Sequence, residues 1–335
     1  MSRRWVLTGM LVAGAALATG GRAGAAEHAN PIAWRRADPH VHKHSDGHYY
    51  FTATFPESDR IILRASRTPQ GLRTAAEHVV WRSRDSGELS SHVFAPEIHR
   101  IGGSWYIYFA AGDGSGLGSI RMYALVNPSP DPLTGTWTAR GPIDTGWSTF
   151  SLDATTFTHR GKRYLAWAQH DRDIDSNTNI YLAPMSDPLH LAGPAAMLSR
   201  PTFDWERRGH AVNEAPAMLS RGDRLFLTYS ASATDSNYCL GMLSADADAD
   251  LMDPASWTKS PDPVFASSDV TGQYGPGHNC FTVDEDGQTD LLVYHARPYE
   301  QIEGEPLLDP NRHTRIQQLH WNPDGTPHFG IPVPD

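Results

Sequence analysis

Five residues able to bind or move protons recur along this chain at near-constant spacing. They are Asp38, Glu97, Asp153, Glu214 and His278, separated by 59, 56, 61 and 64 residues. Each opens a short apolar stretch that reaches a glycine and then a strongly β-prone segment: Tyr49–Thr54, Trp105–Ala110, Arg163–Ala168, Arg224–Tyr229 and Leu291–His295. If the five openings are equivalent, four carboxyls and an imidazole converge on one pocket. Anions are seldom crowded into a partly desolvated site for stability, because each raises the cost of the next. Acidic residues at strand starts can merely cap turns, but recurrence in register points instead to one site for proton chemistry.

The elements that must position these groups follow from the same repeat. Each unit continues with a third β-like run (Ile61–Ser66, Ile120–Val126, Asn179–Met185, Tyr238–Leu243, Arg315–Trp321). A fourth follows (Val79–Arg82, Trp137–Pro142, Ala196–Arg200, Trp257–Phe265, Pro327–Val333). Aromatic and β-branched residues fill the runs, Gly, Pro, Asp and Asn punctuate them, and no helical apolar period stands out beyond the N-terminus. Five units of four antiparallel strands predict an all-β, five-bladed propeller, since each small sheet must bury its faces against its neighbours. A β-sandwich would require a break in the period, and none is evident. The last run ends on an outermost strand, so a strand shared between first and last units is not evident. Packing of blade five on blade one is expected to close the ring.

Arg3 and Arg4, the apolar run Trp5–Ala18 and the small residues Ala23–Ala26 read as an export signal over residues 1–26, with the propeller over 27–335. Ser2-Arg3-Arg4 is compatible with a twin-arginine signal. The expectation is a secreted protein, acting as a monomer. Net charge is −10 and no basic cluster follows the signal, which argues against nucleic acid and anionic membranes as partners. The two cysteines, Cys239 and Cys280, could pair after export or stay free. His40, His42 and His44 share one strand face, but no carboxylate partner at fixed spacing accompanies them, so a zinc site is not expected.

Several short motifs together resemble glycoside hydrolase family 43: Ala37-Asp38-Pro39-His40, Phe94-Ala95-Pro96-Glu97-Ile98-His99, Ser151-Leu152-Asp153-Ala154, Asn213-Glu214-Ala215-Pro216 and Gly277-His278-Asn279. The resemblance runs from about Trp34 to the end and implies five-bladed propellers that cleave arabinofuranosides and xylosides. It implies Asp38 as general base, Glu214 as general acid and Asp153 as the carboxyl that tunes and orients the acid. An inverting hydrolase needs such a pair, one carboxylate to activate water and one protonated carboxyl for the leaving oxygen. A neighbouring anion such as Asp153 would help keep Glu214 protonated.

The resemblance also implies Phe55 and Phe94 as aromatic walls of the sugar pocket, and Arg312 or Arg315 as an arginine reaching it. Glu97 is expected to face the pocket, either bonding substrate or serving structure. His278 matches a histidine that faces a metal, usually calcium, in the channel; calcium's preference for oxygen makes a lone imidazole an unusual ligand. The Phe55–Ile61 and Asn311–Arg315 stretches look most like exo-acting α-L-arabinofuranosidases working on arabinan or arabinose-decorated xylan of plant cell walls. β-Xylosidase and endo-arabinanase are the rivals within the family. A non-catalytic sugar-binding propeller would repeat one site per blade, whereas here the five openings differ.

Overall fold

A computed structural model describes residues 28–335; the expected export signal lies outside the described residues. Blade one comprises β1 (Ala37–Lys43), β2 (Tyr49–Thr54), β3 (Arg60–Ser66) and β4 (His78–Arg82), paired in that order from the inside outwards. Blade two comprises β5 (Ser91–Ile101), β6 (Ser104–Gly112), β7 (Arg121–Asn127) and β8 (Thr138–Arg140). Blade three has five strands: β9 (Ser151–His159), β10 (Lys162–Gln169) and β11 (Asn179–Asp187), with β12 (His190–Leu191) and β13 (Ala196–Ser199) both on β11. Blade four comprises β14 (Asn213–Arg221), β15 (Arg224–Ala231), β16 (Cys239–Asp246) and β17 (Thr258–Lys259). Blade five holds only β18 (Tyr274–Val283), β19 (Asp290–Arg297) and β20 (His313–Gln318); β21 (His320–Trp321) and β22 (Pro327–His328) form a separate hairpin. The expectation of four strands in every blade therefore holds for blades one, two and four.

The middle strands explain why the ring is stable. Alternate residues on a strand face opposite sides, and here both sides are apolar. On β10, Leu165 and Trp167 pack against Tyr108, Met122 and Ala124 of blade two, while Ala166 and Ala168 pack against Leu225, Leu227 and Tyr229 of blade four. Five such buried clusters occupy the five seams between neighbouring blades. The seam joining Val41, Tyr49 and Phe51 to Leu291, Val293 and Ile316 closes blade five on blade one.

Closure also has a backbone component that the sequence reading did not anticipate. Thr314 of β20 accepts hydrogen bonds from Ile32 N–H (2.9 Å) and Ala33 N–H (3.3 Å), and donates its own N–H to Ala33 (2.9 Å). The Asn30 side chain bonds both the N–H and the carbonyl of Ile316. The segment before β1 thus lies along the outer edge of blade five and covers an otherwise open strand. Cys239 and Cys280 are both free and buried; they lie in different seams, which excludes pairing.

Candidate active site

The innermost strands β1, β5, β9, β14 and β18 line the central channel, and each carries a β-bulge at the same place. A bulge sets two residues against one on the partner strand and re-aims a side chain. At all five the first bulged residue has a positive φ: Asp38 (55°), Ala95 (47°), Asp153 (57°), Ala215 (52°) and His278 (46°). A non-glycine in this region costs energy and persists only where its surroundings hold it. Four of the five bulge amides are held by a side chain of the preceding blade. Asp38 N–H donates to His295 Nδ1 (3.0 Å), Ala95 N–H to Thr54 Oγ1 (2.8 Å), Ala215 N–H to Asp153 Oδ2 (3.0 Å) and His278 N–H to Ser230 Oγ (2.8 Å).

This register corrects the five-fold equivalence expected from sequence. The equivalent residues are Asp38, Ala95, Asp153, Ala215 and His278, so Glu214 stands one residue before its bulge and Glu97 two after. Glu97 therefore belongs to a deeper layer with His40 and Thr155, two residues past their own bulges. His99 Nε2 lies 3.1 Å from Glu97 Oε2 and His40 Nε2 3.7 Å from it. The Thr155 hydroxyl faces the Glu97 carboxyl. With these partners Glu97 sits in the channel wall.

The Asp38 carboxylate is surrounded by donors and positive charge. Thr54 donates to Oδ2 (2.6 Å), Arg312 Nη1 approaches Oδ1 at 3.3 Å, and His278 Nδ1 lies 3.3 Å from the same oxygen. Burial pushes the Asp38 carboxyl up, but the Arg312 guanidinium above all, with the Thr54 hydroxyl, outweighs it and holds it well below the usual carboxylate range. Burial pushes both His278 and His295 down, so Arg312 is the standing positive charge. His295 Nδ1 lies 3.4 Å from Asp38 Oδ1 but accepts the Asp38 amide, so it carries no proton toward the carboxylate.

Across the pocket the balance reverses. Asp153 is buried; among the described residues only the Ala215 amide bonds its carboxyl, and burial, Glu214 and Asp38 push it well above the usual range. Glu214 is half-buried and receives a 2.7 Å hydrogen bond from the Tyr238 hydroxyl. Burial and the Asp38 charge raise it to about 7, against the lowering effects of Tyr238 and Arg312. Asp153 and Glu214 titrate as a pair rather than singly. The pocket thus holds one carboxylate fixed as an anion and a carboxyl pair that retains protons near neutrality.

Other expected residues separate clearly. Phe55 and Phe94 line a narrow cleft with Ala37, Thr54, Leu308 and Arg312. The Arg36 and Arg60 guanidiniums lie 4.3 and 4.2 Å from the centre of the Phe55 ring, so its faces serve cation–π contacts. Arg312 is the arginine of the site, and its guanidinium bonds Asp38. Its buried Nε makes no hydrogen bond to any of the described residues. Arg315 is corrected: it is fully buried on the outer side of blade five, bonded to Asp335 and the Val333 carbonyl. A larger cavity is lined by neither Phe55 nor Phe94 and by neither Arg312 nor Arg315; His28, Asn30, Arg73, Gln317 and Asp335 are among its walls.

Two imidazoles and a carboxylate, His40, Glu97 and His99, lie close enough to suggest a metal centre, while His42 and His44 pack on Trp105 instead. The tautomer of His40 argues against it. His40 Nδ1 accepts the Ile98 amide (3.3 Å), so the proton of the neutral ring sits on Nε2, the atom that faces Glu97. Burial drives His40 and His99 down to about 3, which keeps both rings neutral. The sequence reading missed Thr54, Tyr238 and His295. Thr54 and His295 end β-prone runs opposite the bulges, a position the repeat could have flagged; Tyr238 had no such signal.

Residues 28–327 match the model of glycosyl hydrolases family 43. An extracellular exo-α-(1→5)-L-arabinofuranosidase of Streptomyces avermitilis is 58% identical over 306 residues, covering 91% of this chain and 64% of that protein. A protein of the same name from Streptomyces chartreusis is 57% identical, covering 91% and 94%. Among solved structures, α-L-arabinofuranosidase from Lactobacillus brevis superposes with a TM-score of 0.89 at 51% identity, over 92% of this chain and 97% of that one.

Proposed function

Because the chain belongs to glycosyl hydrolase family 43, we propose that it is an exo-acting α-L-arabinofuranosidase that releases arabinofuranose with inversion. The observation that carries the mechanism is the opposite displacement of two carboxyls in one pocket. Asp38, held ionised by Arg312, takes a proton from water as the water attacks the anomeric carbon. Glu214, raised to about 7, gives its proton to the departing glycosidic oxygen. Asp153 acts without touching the reacting atoms: its carboxyl accepts the amide that follows Glu214, and the two carboxyls titrate as a pair. Arg312, with donors left over from Asp38, is placed to bind a sugar hydroxyl in the cleft beside Phe94.

The names of the relatives support an extracellular enzyme and α-(1→5)-linked arabinan as the first polymer to try, with arabinose-decorated xylan second. Export directed by residues 1–26, whose Ser2-Arg3-Arg4 start is compatible with the twin-arginine route, and a monomeric state complete the reading. The calcium proposal is confined to a structural, largely hydrated ion beside His278. Calcium takes six to eight oxygens, whereas the channel around His278 offers imidazoles and the carboxyls of Asp38 and Glu97, which the protein already pairs, and no catalytic step is routed through the ion. Chelation followed by calcium should move the melting midpoint reversibly if the ion binds the folded protein.

The decisive measurement is proton NMR in the first minutes of hydrolysis of an aryl α-L-arabinofuranoside, before mutarotation. β-L-Arabinofuranose is expected first. An initial α anomer would remove Asp38 as the base, and turnover of the matching β-xyloside alone would replace the substrate.

A further inference from the structure

Tyr238 stands between blades four and five, and three observations tie it to the reacting groups. Its hydroxyl donates to Glu214 Oε1 at 2.7 Å. Its ring lies flat on the His295 ring, with centroids 5.7 Å apart and planes 3° from parallel. His295 in turn accepts the amide of Asp38 at 3.0 Å. One stacked pair therefore links the carboxyl on blade four to the strained bulge on blade one. The sequence makes room for it at Gly277: a Cβ there would stand 2.4 Å from two carbons of the Tyr238 ring. Tyr238 is 1% exposed, so its hydroxyl has no bulk water to bond in place of Glu214.

We propose that Tyr238 is a positioning residue of the reaction: its hydroxyl fixes Oε1 of Glu214 as the acceptor oxygen, leaving Oε2 to carry and aim the catalytic proton. The inference rests on Glu214 being the proton donor. A carboxyl whose one oxygen accepts a hydrogen bond presents its proton from the other, so the rotation of the acid is set before substrate arrives. As the proton leaves, charge develops on Glu214 and the same hydrogen bond strengthens, stabilising the carboxylate that forms. The stack on His295 prevents the phenol from following the carboxyl if it swings, because His295 is itself held by the Asp38 amide. Groups facing Glu214 from the surrounding elements are Asp153 on β9, Asp38 on β1, Arg312 before β20 and Tyr238 before β16. Tyr238 also faces Asp153, Asp38 and Ser230. Of these neighbours, only Tyr238 donates a hydrogen bond to the Glu214 carboxyl.

The sign of the effect separates this role from mere packing. The Tyr238 bond favours the ionised acid, so removing it raises the Glu214 pKa. Tyr238→Phe keeps the ring and its stack while deleting the hydroxyl. The alkaline limb of kcat/KM should move up by about one pH unit. kcat on an arabino-oligosaccharide should fall about ten- to a hundredfold, with little loss on a nitrophenyl arabinofuranoside, whose leaving group needs less protonation. KM should change little on either. Gly277→Ala, which pushes the ring aside with its hydroxyl intact, should reproduce the same leaving-group pattern, and melting curves of both variants establish that they are folded. An unmoved limb with equal loss on both substrates would overturn the positioning role. Glu214→Gln measured alongside keeps the premise separate: leaving-group-dependent loss there sustains the acid, and uniform loss there would overturn the acid itself.

Discussion

The two sides of the pocket begin from the same local structure and end with opposite proton affinities. On one side Asp38 occupies a bulge with φ 55°, on the other Asp153 occupies a bulge with φ 57°, and both carboxyls are buried. Burial raises both. What differs is the company: Asp38 meets a guanidinium, a hydroxyl donor and two imidazoles, whereas Asp153 meets one backbone amide and the Glu214 carboxyl. The fold therefore supplies position, repeated five times, and the neighbours from adjacent blades supply charge state. A general base and a general acid can then be built from the same residue class, because the seams that place them differ.

The sharpest way to break the comparison is to remove the charge on one side at a time. Asp38→Asn should abolish turnover of every substrate alike, by at least about a hundredfold and up to ~10⁴-fold, because water loses its base. Glu214→Gln should match that loss on oligosaccharides but spare activated aryl substrates. Parallel kinetics with good and poor leaving groups decide it, and identical patterns for the two variants would erase the distinction between the sides.

Next in size is the charge that makes Asp38 differ from Asp153. Arg312→Gln leaves the Asp38 carboxyl buried without its guanidinium, so its pKa should rise toward that of its counterpart. A base must be ionised to act, and a raised pKa means activity lost as pH falls. The wild type should hold its rate on the acidic side and decline above about pH 7, where Glu214 ionises. The variant should add an acidic limb within the range of about pH 4–6 and lose up to about tenfold at pH 5 through protonation of the base. A variant profile parallel to the wild type would show that Arg312 serves substrate binding alone.

How much of this arrangement was legible in the sequence follows from what the repeat encodes. The glycine-punctuated β runs record burial on both faces of each middle strand, so the five blades and their seams were readable. Asp38, Asp153 and His278 were readable as equivalents because all three sit in the bulge itself. Glu97 and Glu214 were misaligned with them: a repeat counted by charged residues cannot see that Ala95 and Ala215 hold the positive-φ positions. Arg315 looked interchangeable with Arg312, but the two lie three residues apart at the head of β20, and only the first reaches the channel. The closing segment Asn30–Ala33 has no counterpart in the repeat, and Tyr238 meets Glu214 only because blades four and five are wound together.

The smallest expected effect tests whether position and charge are separable at all. Thr54 serves both: its hydroxyl donates to Asp38 Oδ2 at 2.6 Å and accepts the Ala95 amide at 2.8 Å. The matching positions on β6 and β10 are Ala110 and Ala168, so a hydroxyl here is not required by the blade. Thr54→Val preserves shape and removes both bonds. The buried Ala95 amide is then left without its partner, at a cost of about 1–3 kcal/mol. Asp38 loses one donor but keeps Arg312, so its carboxyl stays ionised and kcat should drop only a few-fold, with no acidic limb. Thermal unfolding and a pH–rate profile on the same preparation separate the two roles. A lowered melting point with an unchanged profile assigns Thr54 to holding the bulge of blade two. An acidic limb like that of Arg312→Gln would instead show that the hydroxyl, and not the guanidinium alone, keeps Asp38 an anion.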